Sequence, residues 1–348
     1  MIYSIIVPVF NRPDEVDELL SSLTRQAYRD FEVIVVEDGS QVTCEKVCQS
    51  YNERLSLSYY SKANSGPGQS RNYGAERAKG DYLIILDSDV VLPDGYLKAV
   101  DEELTLAPCD AFGGADASHP SFTPVQKAIS YAMTSFFTTG GIRGGKKKLD
   151  RFYPRSYNMG IRSEVYHSLG GFSRMRFGED IDFSYRIVES GCTCRFFPEA
   201  WVWHKRRTDF RKFFRQVYNS GIARINLEKR HPGTLKLVHA LPAVFTAGVA
   251  ALALLFVCGL AVAGFGGNTM RPTGTCICQL ALLPLLMYSL LICISSTIQN
   301  RSLHVGLLSV PAAFTQLIGY GSGFIEAWWK RCIKKEDEFQ AFENTFYK

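Results

Sequence analysis

Three familiar signatures are missing from this 348-residue chain. There is no Gly-x-Gly-x-x-Gly run at the first strand–helix turn, Pro8 to Pro13, which argues against a dinucleotide-dependent dehydrogenase. There is no Cys-x-x-Cys pair among the 10 cysteines, so neither a zinc ribbon nor a thioredoxin-type centre is expected. Cys258, Cys276, Cys278 and Cys293 lie in apolar runs and read as small buried hydrophobes. A reduced cytoplasmic setting fits this usage better than a disulfide scaffold. Met1-Ile2-Tyr3 carries no basic leader, and the first apolar stretch stops at Pro8 and Asn11, so no secretory signal is expected. The net charge of +5 is too modest to imply nucleic-acid binding. The positions from about 240 to 325 are almost free of charge. The basic excess gathers just before them, between Lys205 and Lys236, and reads as a patch facing anionic lipid.

What is present in the first two hundred residues alternates. Apolar runs at Ser4–Phe10, Phe31–Val36, Leu55–Tyr60, Tyr82–Leu86 and Ala111–Ala115 read as strands. Helical patterns separate them. Val16, Leu19, Leu20 and Leu23 share one helix face, with Asn11 as a cap, Pro13 at its start and Asp14 and Glu15 in its first turn. Ser70–Lys79 and Asp94–Leu106 read as further helices. Alternation with short links predicts an α/β domain around a doubly wound, mainly parallel sheet. Ligands of such sheets bind at the carboxyl ends of the strands, where Asn11, Asp38, Asp87 and Asp89 all fall. The Gly140–Lys148 stretch, rich in glycine and lysine, reads as a solvated loop or as a lid over phosphate.

The rest of the chain points to a membrane. In Thr208–Leu227, Phe210, Phe213, Phe214 and Val217 occupy one helical face and Arg211, Lys212 and Arg215 the other, the pattern of a helix lying in the membrane interface. Leu241–Phe265 and Cys276–Gln299 are long enough to span. His304–Phe324 is a weaker third span, interrupted by Pro311, and Trp328 and Trp329 mark an interface after it. The expected domains are a catalytic domain (1–207), an amphipathic interface segment (208–235), a membrane region (236–329) and a polar tail (330–348). The basic segment predicts a multi-pass protein of the inner, cytoplasmic membrane with its catalytic domain in the cytoplasm. Three crossings would place Lys330, Arg331, Lys334 and Lys335 outside, against the positive-inside trend; a hairpin followed by a surface segment would not.

The chemistry gathers at acidic pairs. Asp87-Ser88-Asp89 ends an apolar strand, and carboxylates at i and i+2 of a strand end point the same way. Such a pair repels unless a cation lies between the two, and oxygen ligands on a partly open edge suit Mg²⁺ or Mn²⁺. An acidic surface turn is the competing reading. Glu179, Asp180 and Asp182 open a helix, where acids usually serve the helix dipole, although one of them can also act as a general base. His204 follows Trp201-Val202-Trp203 and precedes a basic run, which leaves it either a packing residue or a ligand at a metal–diphosphate site.

These segments occur together in a recognisable order. Ile6-Val7-Pro8-Val9-Phe10-Asn11, Val35-Val36-Glu37-Asp38-Gly39-Ser40, Asn64-Ser65-Gly66-Pro67-Gly68 with Ser70-Arg71-Asn72, Asp87-Ser88-Asp89, Asn158-Met159-Gly160, Gly170-Gly171-Phe172 and Gly178-Glu179-Asp180 resemble family 2 glycosyltransferases of the GT-A fold over residues 3 to 210. The resemblance implies inverting transfer of a sugar from a nucleotide-diphosphate donor. It implies that Pro8, Phe10, Asn11, Asp38, Arg71, Asp87 and Ser88 hold the nucleotide sugar, with Asp38 reading the base. It implies Asp89 and Asp87 as ligands of Mg²⁺ or Mn²⁺, joined by His204 as in galactofuranosyltransferases of the superfamily. It implies Asp180, within the Glu179-Asp180 pair, as the base for an acceptor hydroxyl. Glu37 stands where the family usually has a first Asp.

The Gln-x-x-Arg-Trp signature of processive synthases is absent, since the corresponding place reads Gln216-Val217-Tyr218-Asn219-Ser220, so a single transfer is expected. The Glu179-Asp180 pair favours a hydroxyl on a lipid-linked glycan or glycolipid, in cell-envelope synthesis, over the phosphate acceptor of a polyprenyl-phosphate sugar synthase. A nucleotide-sugar-binding membrane protein without catalysis is the non-enzyme alternative. The expected partners are the nucleotide-diphosphate sugar, the lipid-borne acceptor and membrane lipid, with no nucleic acid.

Overall fold

The computed structural model describes residues 1–117, 119, 121–139, 152–175, 177–339 and 341. The Gly140–Lys148 stretch lies outside the described residues, so neither reading of it meets a structure. Contacts divide the chain into two compact units, Met1–Pro120 with Lys147–Lys205 and Ser121–Lys146 with Arg206–Lys348. One division between the units falls between Lys205 and Arg206. The segment beginning at Ser121 differs: it joins the second unit, because its helix buries Ala128, Ile129 and Ala132 there.

In chain order the elements are β1 (Tyr3–Val9), α1 (Pro13–Thr24), β2 (Phe31–Asp38), α2 (Glu45–Gln49), β3 (Leu57–Lys62), α3 (Pro67–Ala75), β4 (Tyr82–Leu86), β5 (Val90–Val91), α4 (Tyr96–Leu106) and β6 (Ala111–Ala117). They continue with α5 (Pro124–Thr134), α6 (Phe136–Thr139), β7 (Asn158–Arg162), α7 (Ser163–Ser168), α8 (Glu179–Glu189) and β8 (Cys194–His204). The last helices are α9 (Phe210–Arg230), α10 (Leu237–Phe265), α11 (Gly267–Asn300) and α12 (Leu303–Trp328).

The first unit is built on one eight-stranded sheet in the order β3-β2-β1-β4-β7-β6-β8-β5. Every residue of β1 is buried, as a strand flanked on both edges and covered on both faces requires. The expected parallel arrangement is present from β3 to β4, and β7 then runs antiparallel to β4 and to β6. The strand order reverses at β1, which lies between β2 and β4. Chain ends of β1, β2 and β4 therefore meet at one edge, the place where such sheets take ligands. The short strand β5 pairs with β8, setting Val90 opposite His204. That register joins the acidic turn after β4 to the end of β8.

Asn11 does not cap α1. Its backbone is left-handed (φ 54°), the cap position falls on Arg12, and its side-chain oxygen accepts from the N–H groups of Gln41 and Val42 instead.

The second unit is helical. α10, α11 and α12 extended to Ile333 are each long and apolar enough to cross a membrane. α10 and α11 are joined through Gly266 alone, and the second helix begins before Cys276, where the second span is expected to start. Pro311 does not interrupt α12: the ring removes one donor, and the tightly packed helix keeps its course. Cys258 and Cys276 are exposed rather than buried, since α10 and α11 turn much of their surface outward. The apolar face of α9, expected on lipid, is covered by protein. Phe213 and Val217 pack with Ala128 and Ile129 of α5 and Val305 and Ala312 of α12.

Gly160 of β7 shows how tightly the sheet is packed. A Cβ there would lie 2.0 Å from the Phe112 ring, which stacks on Phe197 at 4.6 Å. Gly160→Ala is expected to lower stability by about 1–3 kcal/mol through overpacking. A thermal melt of the detergent-solubilised protein measures this directly, and an unchanged midpoint would contradict it.

Candidate active site

The turn between β4 and β5 holds Asp87, Ser88 and Asp89. Asp87 O accepts from Val90 N (3.3 Å), and Asp89 O accepts from Lys205 N (3.0 Å), so the turn is fixed by its backbone to both neighbouring strands. One ligand atom each from Asp87, Asp89 and His204 lies within 4.8 Å of the others. His204 Nε2 is 3.3 Å from Asp89 Oδ1, and the imidazole stacks on Tyr157 with centroids 5.1 Å apart. His204 Nδ1 is buried without a hydrogen-bond partner, its nearest carboxylate oxygen being Asp116 Oδ2 at 3.9 Å. Two carboxylates and an imidazole form a donor set of the kind Mn²⁺ and Mg²⁺ accept.

Arginines hold the carboxylates in place. Arg12 pairs with Asp89. Arg71, almost fully buried on α3, spans two acids: Nη2 donates to Asp87 at 2.8 Å and Nη1 to Glu179 at 2.9 Å. Its ring-facing side lies 5.1 Å from the Phe172 centroid. Arg71 was expected to touch the nucleotide; in the structure its charge is committed to ordering the two acidic motifs. Arg155 Nε donates to Asp180 Oδ2 at 2.8 Å. Arg12, Arg155 and Asp116 carry no local sequence signal. Each is a lone charged residue whose role depends on which strand end it meets.

Glu179 and Asp180 open α8 behind the left-handed Gly178 (φ 84°). Burial pushes Glu179 up to about 7, with Arg71 opposing the shift and Asp180 adding to it. Burial also pushes Asp180 up, but Arg155 and Arg71 outweigh it and hold the group below the usual carboxylate range. Two adjacent acids are thus pushed apart, and Asp180 is the one kept charged at neutral pH.

The Asp38 carboxylate accepts from Ser65 N and Gly66 N, both at 2.9 Å, and pairs with Lys62. It shapes the turn before α3 and is not a free acceptor in this state. Lys62 was not singled out from the sequence. Glu37 is a buried bracket, accepting from Cys44 N at 2.8 Å and from Ser40. Pro8 is buried within β1, Phe10 lies half-buried just past its end, and Ser88 is buried in the acidic turn.

This geometry can be set beside known proteins. Residues 4–170 match the sequence model for Glycosyl transferase family 2. The similarity to that family covers just under half of the chain. A glycosyltransferase of Haemophilus influenzae, named as uncharacterized, is 47% identical over 195 residues, covering 53% of this chain and 62% of its own length. The poly(ribitol-phosphate) beta-N-acetylglucosaminyltransferase TarS of Staphylococcus aureus is 36% identical over 102 residues, covering 28% of this chain and 18% of its own. This chain therefore spans less than two thirds of either relative. The mannosyltransferase PcManGT of Pyrobaculum calidifontis, solved with GDP-Man and Mn²⁺, superposes with a TM-score of 0.56 at 15% identity, covering 94% of this chain and 87% of that one. At that identity the likeness shows the GT-A fold. The family 2 match ends at residue 170, so Glu179, Asp180 and His204 lie beyond it.

Two outcomes are expected at this site. Calorimetric titration of Mn²⁺ should show binding weakened about tenfold or more in Asp89→Asn and in His204→Ala. The second concerns pH. Folded Glu179 keeps a proton up to about 7, whereas its ordinary value is 4.5, so the native state binds more protons in that window and loses stability as pH rises through it. Glu179→Gln removes this dependence. Unfolding curves of parent and variant should therefore diverge between those pH values, with the variant gaining relative stability toward pH 7.

Proposed function

We propose that the family 2 domain transfers one sugar, with inversion, from a nucleotide-diphosphate donor to a hydroxyl of a lipid-linked glycan or glycolipid at a membrane. The observation that carries this reading is the Arg71 bridge. A single guanidinium joins Asp87, of the candidate metal set, to Glu179, neighbour of the candidate base, so both acidic motifs serve one substrate space. The family 2 sequence match supports a nucleotide-sugar donor. A UDP-sugar is favoured, in line with the N-acetylglucosaminyl transfer named for the staphylococcal relative. The archaeal neighbour, solved with GDP-Man and Mn²⁺, supports a divalent ion on this fold.

Asp87, Asp89 and His204 would hold Mg²⁺ or Mn²⁺. The ion supplies positive charge against the departing diphosphate. Asp180 accepts the proton of the incoming hydroxyl as that oxygen attacks the anomeric carbon. The bond to the diphosphate breaks on the opposite face, which inverts the centre. Arg155 keeps Asp180 ionised and oriented until the acceptor arrives. Asp38, through Ser65 and Gly66, holds the turn against which the base would sit.

Three helices long and apolar enough to cross a membrane support a lipid-borne acceptor, whose confinement to two dimensions would raise its effective concentration. The basic run from Lys205 to Lys236 favours a cytoplasmic face, in an inner membrane, for the catalytic unit.

A donor screen with membrane lipid extract as acceptor tests the reading. Transfer from a UDP-sugar is expected, with chelator removing it and Mn²⁺ restoring it. Asp180→Asn should lower transfer by about 10²-fold or more while leaving donor binding intact. Chelator-resistant turnover would refute the roles of Asp87 and Asp89, and an unaffected Asp180→Asn would refute the base.

A further inference from the structure

Three helices have the length and composition of membrane spans, yet they do not share one geometry. α10 and α11 form an antiparallel hairpin: a Cβ on Gly259 would meet Gly274 O and Cys278 N at 3.0 Å each, and the Phe245 and Tyr288 rings are 5.3 Å apart. Phe245 stands twenty residues before Phe265 at the hairpin tip, a rise of about 30 Å. That equals the hydrocarbon thickness of a bilayer. If the tip lies at one boundary, the Phe245–Tyr288 pair lies at the other.

α12 first runs beside the end of α11, where Ser309 Oγ lies 2.6 Å from Ser296 Oγ, and then meets α10 at that second boundary. Its Phe314 ring lies 5.7 Å from both Phe245 and Tyr288. Leu317 O accepts from Thr246 Oγ1 at 3.3 Å, and a Cβ on Gly321 would sit 2.3 Å from Pro242 O. From Phe314 to Gly321 α12 advances about 10 Å. Over the same stretch its contacts with α10 remain among Pro242, Phe245 and Thr246. A helix crossing beside α10 would instead move down it. α12 passes across α10.

The neighbour of α12 gives the same answer. α9 runs along its second half, so closely that a Cβ on Gly221 would lie 2.2 Å from Tyr320 O and one on Gly323 2.1 Å from Tyr218 O. α9 carries Arg211, Lys212, Arg215, Arg224, Lys229 and Arg230, a load that no lipid-spanning helix tolerates. α12 itself holds Glu326, paired with Lys330 at 2.6 Å. Burial agrees: 39% of its most apolar stretch is covered by protein, against 6% in α10 and 17% in α11.

We infer that only α10 and α11 cross the membrane among the described residues, and that α12, α9 and α5–α6 form a platform lying in one leaflet's interface. The platform's partner is bilayer lipid. Its lipid-facing groups are two exposed aromatic pairs, Phe136 with Phe137 and Trp328 with Trp329. Phe137 is fixed at the boundary because its carbonyl accepts from Tyr288 OH at 3.1 Å. Lys330, Arg331, Lys334 and Lys335 then stay on the side of Lys205–Lys236, in line with the positive-inside trend. The platform rests on the membrane attachment proposed above.

The test uses the 348-residue chain with one epitope inserted at Gly266 and another after Lys348, in sealed vesicles of both orientations. The catalytic unit and the C-terminal epitope are expected on one face and the Gly266 epitope on the other. A C-terminal epitope that joins the Gly266 epitope overturns the platform and leaves the hairpin standing. A Gly266 epitope on the catalytic face overturns membrane crossing, and the platform with it. Labelling with a lipid-phase carbene reagent, read by peptide mapping, tests the contact surface. Phe136, Phe137, Trp328 and Trp329 should label along with Leu254 and Leu286, whereas exposed Leu106 of the first unit should not. Labelled α10 and α11 with unlabelled Phe136 and Phe137 would overturn the lipid contact.

Discussion

The central constraint on the first unit is charge concentration. Asp87, Asp89, Asp116, Glu179 and Asp180 converge from a turn, a strand end and a helix start. Like charges brought together out of water are costly unless cations intervene. Arg71 performs that task from the inside. It is buried between Asp87 and Glu179, and removing it would leave two acids facing each other without compensation. Arg12 and Arg155 complete the ring at Asp89 and Asp180. The acids are held close enough to act together only because these three guanidinium groups are fixed among them.

The rest of the unit serves that arrangement. The reversal of strand order at β1 brings the ends of β1, β2 and β4 to one edge. The two-residue strand β5 adds His204 by pairing with β8, a connection far smaller than its consequence. Burial then differentiates Glu179 from Asp180. One is pushed up toward neutrality and the other is held charged by Arg155, so two adjacent carboxyls of similar chemistry are given different charge states.

The long apolar helices obey a different constraint. A helix able to cross a membrane must satisfy its backbone internally and carry almost no charge, and α10 and α11 meet that requirement. α12 meets the same composition rule, but its packing against a basic helix sets it apart. Composition describes what a helix tolerates, and its neighbours decide where it lies. The same holds for the segment from Ser121: it is apolar enough for a soluble core, yet it joins α11 and α12 through Tyr131, Ile292 and Ala313.

Much of this was legible in the residue order. The strand–helix alternation, the Asp87-Ser88-Asp89 turn, the Glu179-Asp180 helix start and the two most apolar helices follow from periodicity and local chemistry, which depend only on near neighbours in the chain. Other features were not legible. Arg12, Lys62, Asp116 and Arg155 gain their meaning from contacts across 77, 24, 88 and 25 positions respectively. Asn11 was expected as a helix cap and instead pins the loop at Gln41 and Val42, thirty positions on. α9 was expected to face lipid and is covered by α5 and α12. The sequence alone determined which segments are strand, helix or long apolar run, because those preferences are local. The tertiary structure decided which charges meet, which acid is held ionised and which apolar helix packs against a basic one, because each depends on a partner brought near only by folding.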